Sequence, residues 1–217
     1  MLQKYNWLAI ALLGAALPST ALATVTVNMP FTGLAAIGID GGRIRMGTTR
    51  DGGASCEWKT VSPSSEIMQD TVINGTNGHD AILVATSTTT FCGVSLAPLL
   101  PSLLRLFGHG GNDIIHGGFA ALVVDGGAGN DSLQSDRPFF TAVGGGDGND
   151  VVSTRSVDGV LQGGSGDDIA CVLNANRVAA ELDGGPHSTV SPGDRRCGRG
   201  SARTVGWETS SCAHPCF

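Results

Sequence analysis

Gly126-Gly-Ala-Gly-Asn-Asp131-Ser-Leu-Gln134 and Gly145-Gly-Asp-Gly-Asn-Asp150-Val-Val-Ser153 are two copies of one nine-residue pattern. Two more flank them: Gly108-His-Gly-Gly-Asn-Asp113-Ile-Ile-His116 and Gly163-Gly-Ser-Gly-Asp-Asp168-Ile-Ala-Cys171. A weaker copy, Gly75-Thr-Asn-Gly-His-Asp80-Ala-Ile-Leu83, lies upstream. The aspartates at position six, Asp113, Asp131, Asp150 and Asp168, step by 18, 19 and 18 residues. A fixed period of this kind signals units that stack on one another. The first six residues of each copy are glycine-rich, and glycine permits the positive φ that a sharp turn needs. The last three read as a short strand. Its middle residue is apolar in every copy (Ile82, Ile115, Leu133, Val152, Ala170) and is expected to face a core, with its neighbours facing outward.

These copies resemble the nonapeptide G-G-x-G-x-D-x-U-x of the repeats-in-toxin, or haemolysin-type, calcium-binding family. The copies at Gly126, Gly145 and Gly163 keep all four specified positions, whereas His109 and Thr76 replace the second glycine in the other two. The resemblance covers roughly residues 74–183 and implies a right-handed parallel β-roll, two nonapeptides to a turn, with calcium held between stacked loops. The metal ligands it implies are Gly108, Gly110 and Asp113 in the first strong loop and Gly126, Ala128 and Asp131 in the second. The third and fourth supply Gly145, Asp147 and Asp150, then Gly163, Ser165 and Asp168. The half-turns between the copies keep apolar residues such as Leu122, Val124, Val143, Val160 and Leu161 but lose the aspartate. Calcium is therefore expected on one edge only, in the three gaps between four loops. Asp80 stands 33 residues before Asp113 and breaks the step.

Electrostatics argues the same way from the residues alone. Carboxylates stacked one strand apart, ~4.8 Å, repel by roughly 1 kcal/mol in water and ~3 kcal/mol at an effective dielectric near 20. Such a column destabilises the fold without a cation. Calcium takes six to eight oxygens, carboxylate and carbonyl among them, while magnesium demands a tighter octahedron. From Gly108 to Asp168 there are nine Asp and only Arg137 and Arg155 as bases, against a net charge of −6 for the whole chain. That block repels nucleic acid and anionic lipid and attracts cations.

Lys4, the apolar run Trp7 to Leu17 and Ala21-Leu22-Ala23 read as an export signal cleaved before Thr24. No later segment is long and apolar enough to span a bilayer. A secreted or periplasmic chain meets an oxidising compartment, so the six cysteines (Cys56, Cys92, Cys171, Cys197, Cys212, Cys216) are expected in disulfides, with fifteen pairings open. The expected organisation is a signal peptide over 1–23, N-terminal strands or a cap over 24–70, repeats over 71–184, and a cysteine-containing cap over 185–217. The fold class expected is all-β, a right-handed parallel β-roll with disulfide-stapled ends.

The histidines His79, His109, His116, His187 and His214 form no zinc-protease motif, and neither a G-x-S-x-G elbow nor a phosphate loop occurs. Only about fifty residues separate the cleavage site from the first copy, too few for a catalytic domain. The reading that follows is a secreted calcium-binding protein with calcium as a structural or folding cofactor. A second reading is a calcium-dependent parallel β-helix enzyme acting on acidic polysaccharide, which needs a base beside acids; Arg137, Arg155 and Asp158 are its candidates. A third is an adhesion or surface spacer module with a cell-surface or polysaccharide partner.

Overall fold

The computed structural model describes residues 24–62, 70–100, 103–156, 159–172, 181–185, 195–198, 203–205 and 208–209. The export-signal expectation for 1–23, and Cys212, Cys216, His187, His214 and Asp158, lie outside these residues.

Two large sheets face each other. The first has eight strands, ordered β1 (Val25–Asn28), β5 (Thr71–Asn74), β9 (Leu104–Gly110), β11 (Ala121–Ala128), β13 (Thr141–Asp147), β15 (Gly159–Ser165), β17 (Glu181–Asp183) and β19 (Arg203–Val205). Every pairing in it is parallel. The second has ten strands, ordered β20 (Glu208–Thr209), β18 (Arg195–Gly198), β16 (Ile169–Val172), β14 (Val151–Thr154), β12 (Ser132–Ser135), β10 (Ile114–His116), β6 (Ala81–Val84), β2 (Leu34–Asp40), β3 (Arg43–Thr49) and β4 (Glu57–Ser62). It is mixed: parallel from β20 to β2, then antiparallel through β3 to β4. A separate hairpin, β7 (Thr89–Phe91) and β8 (Val94–Leu96), completes the chain's strands among the described residues.

The expectation of a right-handed parallel β-roll with disulfide-stapled ends is corrected on two counts. The protein is all-β, but one of its two large sheets is mixed and ends in an antiparallel meander. The physical reason is local: Asp40-Gly41-Gly42-Arg43 places positive φ at both glycines (+56° and +72°), the geometry of a tight hairpin, so β3 folds straight back on β2. The disulfide that the structure shows, Cys56–Cys92, joins the β3–β4 meander to the turn of β7–β8 and staples no end. Cys171 is also disulfide-bonded, and no cysteine is free among the described residues.

The core lies between the sheets. The middle residues of the repeat strands, Ile82, Ile115, Leu133, Val152 and Ala170, are at most 1% exposed. They pack in one cluster with Leu106, Val124, Val143 and Leu161 from the facing sheet, which stand in register across β9, β11, β13 and β15. Leu122 and Val160 point the other way and are only half-buried. A second, small cluster (Ala36, Ala85, Leu96 with Trp58, Phe91 and Val94) seats the β7–β8 hairpin against β2 and β4. That hairpin is inserted between β6 and β9, and it accounts for the long step from Asp80 to Asp113. On both sides of the insertion the register is kept, since Ile82 still pairs with Ile115.

Candidate metal centre

Each glycine-rich loop links a strand of the parallel sheet to a strand of the mixed sheet, so parallel pairing on both sides stacks the loops directly. The loops are then locked by two ladders of side chain to backbone bonds. In the first, the amide of each position-six aspartate donates to Oδ1 of the aspartate one loop further on: Asp80 to Asp113 (2.7 Å), Asp113 to Asp131 (2.7 Å), Asp131 to Asp150 (2.7 Å) and Asp150 to Asp168 (2.8 Å). In the second, running the other way, position-five side chains accept amides from the loop ahead. Asn112 Oδ1 takes the amide of Asn130 (2.8 Å), Asn130 Oδ1 that of Asn149 (2.8 Å) and Asn149 Oδ1 that of Asp167 (2.9 Å). His79 Nδ1 fills the same role toward Asn112.

The aspartate column is buried: Asp113 is 1% exposed, Asp131 3% and Asp150 1%. With Oδ1 bound to an amide, Oδ2 of each of these three is enclosed and has no hydrogen-bond partner. Another acceptor lies close by. A Cβ on Gly126 would collide with Asp131 Oδ2 and stand 2.7 Å from the carbonyl oxygen of Gly145 in the next loop. A Cβ on Gly108 would meet Asp113 Oδ2 and the Gly126 carbonyl, and one on Gly145 would meet Asp150 Oδ2 and the Gly163 carbonyl. Position-one glycine thus leaves a cradle in which a carboxylate oxygen and a carbonyl oxygen converge with nothing positive between them. Burial pushes Asp113 up to about 6 and Asp150 up to about 7, and raises Asp131, although the amide at Oδ1 pulls each partly back.

The sequence-predicted residues divide between two places. Gly108, Gly126, Gly145 and Gly163 are buried beside the column with Asp113, Asp131, Asp150 and Asp168. Gly110, Ala128, Asp147 and Ser165 sit at the loop tips, the last three exposed. Their carbonyls serve the stack, as Ala128, Asp147 and Ser165 accept the amides of Gly111 (2.8 Å), Gly129 (2.7 Å) and Gly148 (2.7 Å). A carbonyl has a second lone pair, so this use does not remove it as a ligand. Positions two and four carry positive φ in the strong copies, which explains their glycines; His109 adopts +76° without one.

Asp80 joins the column but differs. Its Oδ2 accepts the amide (2.6 Å) and the hydroxyl (2.9 Å) of Thr76, and its Oδ1 accepts the amide of Gly33 (2.9 Å). On the opposite edge the structure gathers side chains around Asp136, a residue that the sequence did not single out. Asp136 is bound by His116 Nε2 (3.0 Å), Gln134 Nε2 (2.8 Å) and Arg155 Nε (3.1 Å), while Arg137 donates to the Ala120 carbonyl (3.0 Å). Both candidate bases of the polysaccharide reading are engaged there. Among the described residues no three His, Cys, Asp or Glu side chains converge as a metal cluster. A cation at the aspartate column would have one carboxylate oxygen and a glycine carbonyl as its evident ligands in each gap. Comparison of the chain with protein-family models, curated proteins and solved structures finds no match.

Proposed function

We propose that this chain is an exported calcium-binding protein, with calcium between successive glycine-rich loops as a structural and folding cofactor. The observation that carries the reading is the set of three buried, unpartnered Oδ2 atoms of Asp113, Asp131 and Asp150, each beside a position-one glycine whose added Cβ would also meet a glycine carbonyl of the next loop. A buried polar atom without a partner costs about 1–3 kcal/mol, more for a charged one. Two neighbouring acceptors need a donor or a cation between them, and a charged carboxylate is best matched by a cation. The donors are hard oxygens, carboxylate and carbonyl, the set that suits calcium. Asp113, Asp131, Asp150 and their partner glycines Gly126, Gly145 and Gly163 would hold the ions, and calcium would supply the positive charge that the loops lack.

Export is supported by the residues Lys4 to Ala23 and by disulfides at Cys56, Cys92 and Cys171. The test is thermal unfolding by circular dichroism in EDTA and in millimolar calcium. Ligand at a hundredfold excess over Kd stabilises a site by about 2.7 kcal/mol, or about 5–10 °C in a chain of this size. Equal melting temperatures would overturn the reading.

A further inference from the structure

We infer that Thr76 closes the first gap of the aspartate column to calcium and so sets where the ion stack begins. The inference rests on the calcium reading above. The gap between the loops of Asp80 and Asp113 has the same cradle as the others. A Cβ on Gly75 would stand 2.9 Å from Asp80 Oδ2 and 2.8 Å from the Gly108 carbonyl. The ladder is also continuous there, since the Asp80 amide donates to Asp113 Oδ1. What changes is position two. In the strong copies it holds Gly127, Gly146 and Gly164, or the strained His109, all at positive φ. Thr76 does not adopt that conformation, which a β-branched residue enters only as an outlier.

Two donors consequently turn into the loop. The Thr76 amide and hydroxyl both reach Asp80 Oδ2, the atom that in Asp113, Asp131 and Asp150 has no partner. The hydroxyl is fixed from outside by Thr32 Oγ1 (2.8 Å) and accepts the amide of Gly78 (3.1 Å). Asp80 is therefore satisfied by its own chain, and its Oδ2 offers a cation nothing that Thr76 has not already supplied. The loop that ties β2 to the column through Gly33 stays assembled without metal, and the ions begin one loop later.

Calorimetric titration with calcium chloride, on the full exported chain, tests this with wild type, Thr76→Gly, Thr76→Asn and Thr76→Ser. Glycine and asparagine both accept positive φ. The wild type and Thr76→Ser are expected to take up about three ions, and Thr76→Gly and Thr76→Asn about four. In EDTA the last two should melt below wild type, because Asp80 Oδ2 loses its donors. If the wild type takes up three ions and both variants also stop at three, Thr76 is not the gate and the calcium reading stands. A wild type that takes up none overturns the calcium reading, and the gate with it. Should Thr76→Gly not fold, Thr76→Asn decides alone.

Discussion

The amide of Asp113 donates to Oδ1 of Asp131, a residue 18 positions ahead, at 2.7 Å, and the same bond joins each aspartate of the column to the next. The recurring phase of these aspartates therefore has two uses at once. One oxygen carries the stack, and the other is left over. Replacing an aspartate tests the two separately.

Asp131→Asn keeps an acceptor for the Asp113 amide and puts an amide group where Oδ2 had no partner. In EDTA the variant should melt above wild type, by a few degrees for roughly 1–2 kcal/mol, and calcium uptake should fall. Asp131→Ala loses both uses and should melt below wild type with or without calcium. Melting curves of the three proteins decide. An Asp131→Asn protein that is less stable than wild type in EDTA contradicts the unpartnered oxygen.

Protons and cations compete for the same oxygens. Asp113 and Asp150 are held up to about 6 and about 7 by burial, against about 3.9 in an unfolded chain. The folded protein therefore binds protons that the unfolded chain has already released. Their contribution to stability is complete below about pH 4 and is lost as pH rises through 6 and 7. Asp136 acts in the opposite sense. Burial alone would raise it, but hydrogen bonds from His116 and Gln134 and the charges of His116 and Arg155 hold it below its ordinary value, so its effect falls below that window. In EDTA the melting temperature should fall from pH 4.5 to pH 8. In calcium the fall should be smaller, because the ion takes the deprotonated form of the column aspartates; Asp125, which burial also pushes up to about 6, lies outside the ligand set and still contributes. A metal-free protein that gains stability across this range would count against the buried column.

The sequence makes the column legible because one aspartate recurs at a fixed phase, and the apolar residue two places on recurs with it. Asn112, Asn130 and Asn149 recur too, one place earlier, and their ladder could have been read from the same alignment of copies. Two things were hidden. Membership of Asp80 was masked by the β7–β8 insertion, which lengthens the step while leaving the register intact. The mixed character of the second sheet was masked because residues 34–62 carry no repeat; their fold is set by the Gly41-Gly42 turn and by packing on β2, which a period search does not detect. The two ion pairs of Asp136, with His116 and Arg155, come from different strands or loops, and no local spacing announces them.

The Cys56–Cys92 bridge closes 36 residues and fastens a hairpin that lies off the aspartate column. Cys56→Ser with Cys92→Ser should cost about 3–4 kcal/mol and loosen the contact of Trp58 with Phe91, whose ring centres are 6.1 Å apart. Tryptophan fluorescence should report the loosening, while calcium stoichiometry stays that of the wild type. A change in stoichiometry would show that the hairpin supports the ion column directly.

Glycine is required in this chain at some turns and merely convenient at others, and two alanine substitutions separate the cases. Gly129 has φ +128°, and a Cβ there would collide with the carbonyl of Gly111 and stand 3.0 Å from Asn112 Oδ1. Both obstacles belong to the stack itself: one is backbone, the other a rung of the asparagine ladder. Neither can move without breaking the bond between Asn112 and the Asn130 amide. Gly52 also has positive φ, +69°, but a Cβ there meets nothing within 4 Å. Gly52→Ala should carry only the left-handed penalty of about 1–2 kcal/mol, with calcium uptake intact. Gly129→Ala should exceed ~3 kcal/mol and reduce calcium uptake, because the loops on either side of it must separate. Chemical denaturation and calorimetry on the two variants measure both quantities. Equal losses would mean that the loops are held apart, and the close stacking that brings each Oδ2 against the next glycine carbonyl would be wrong.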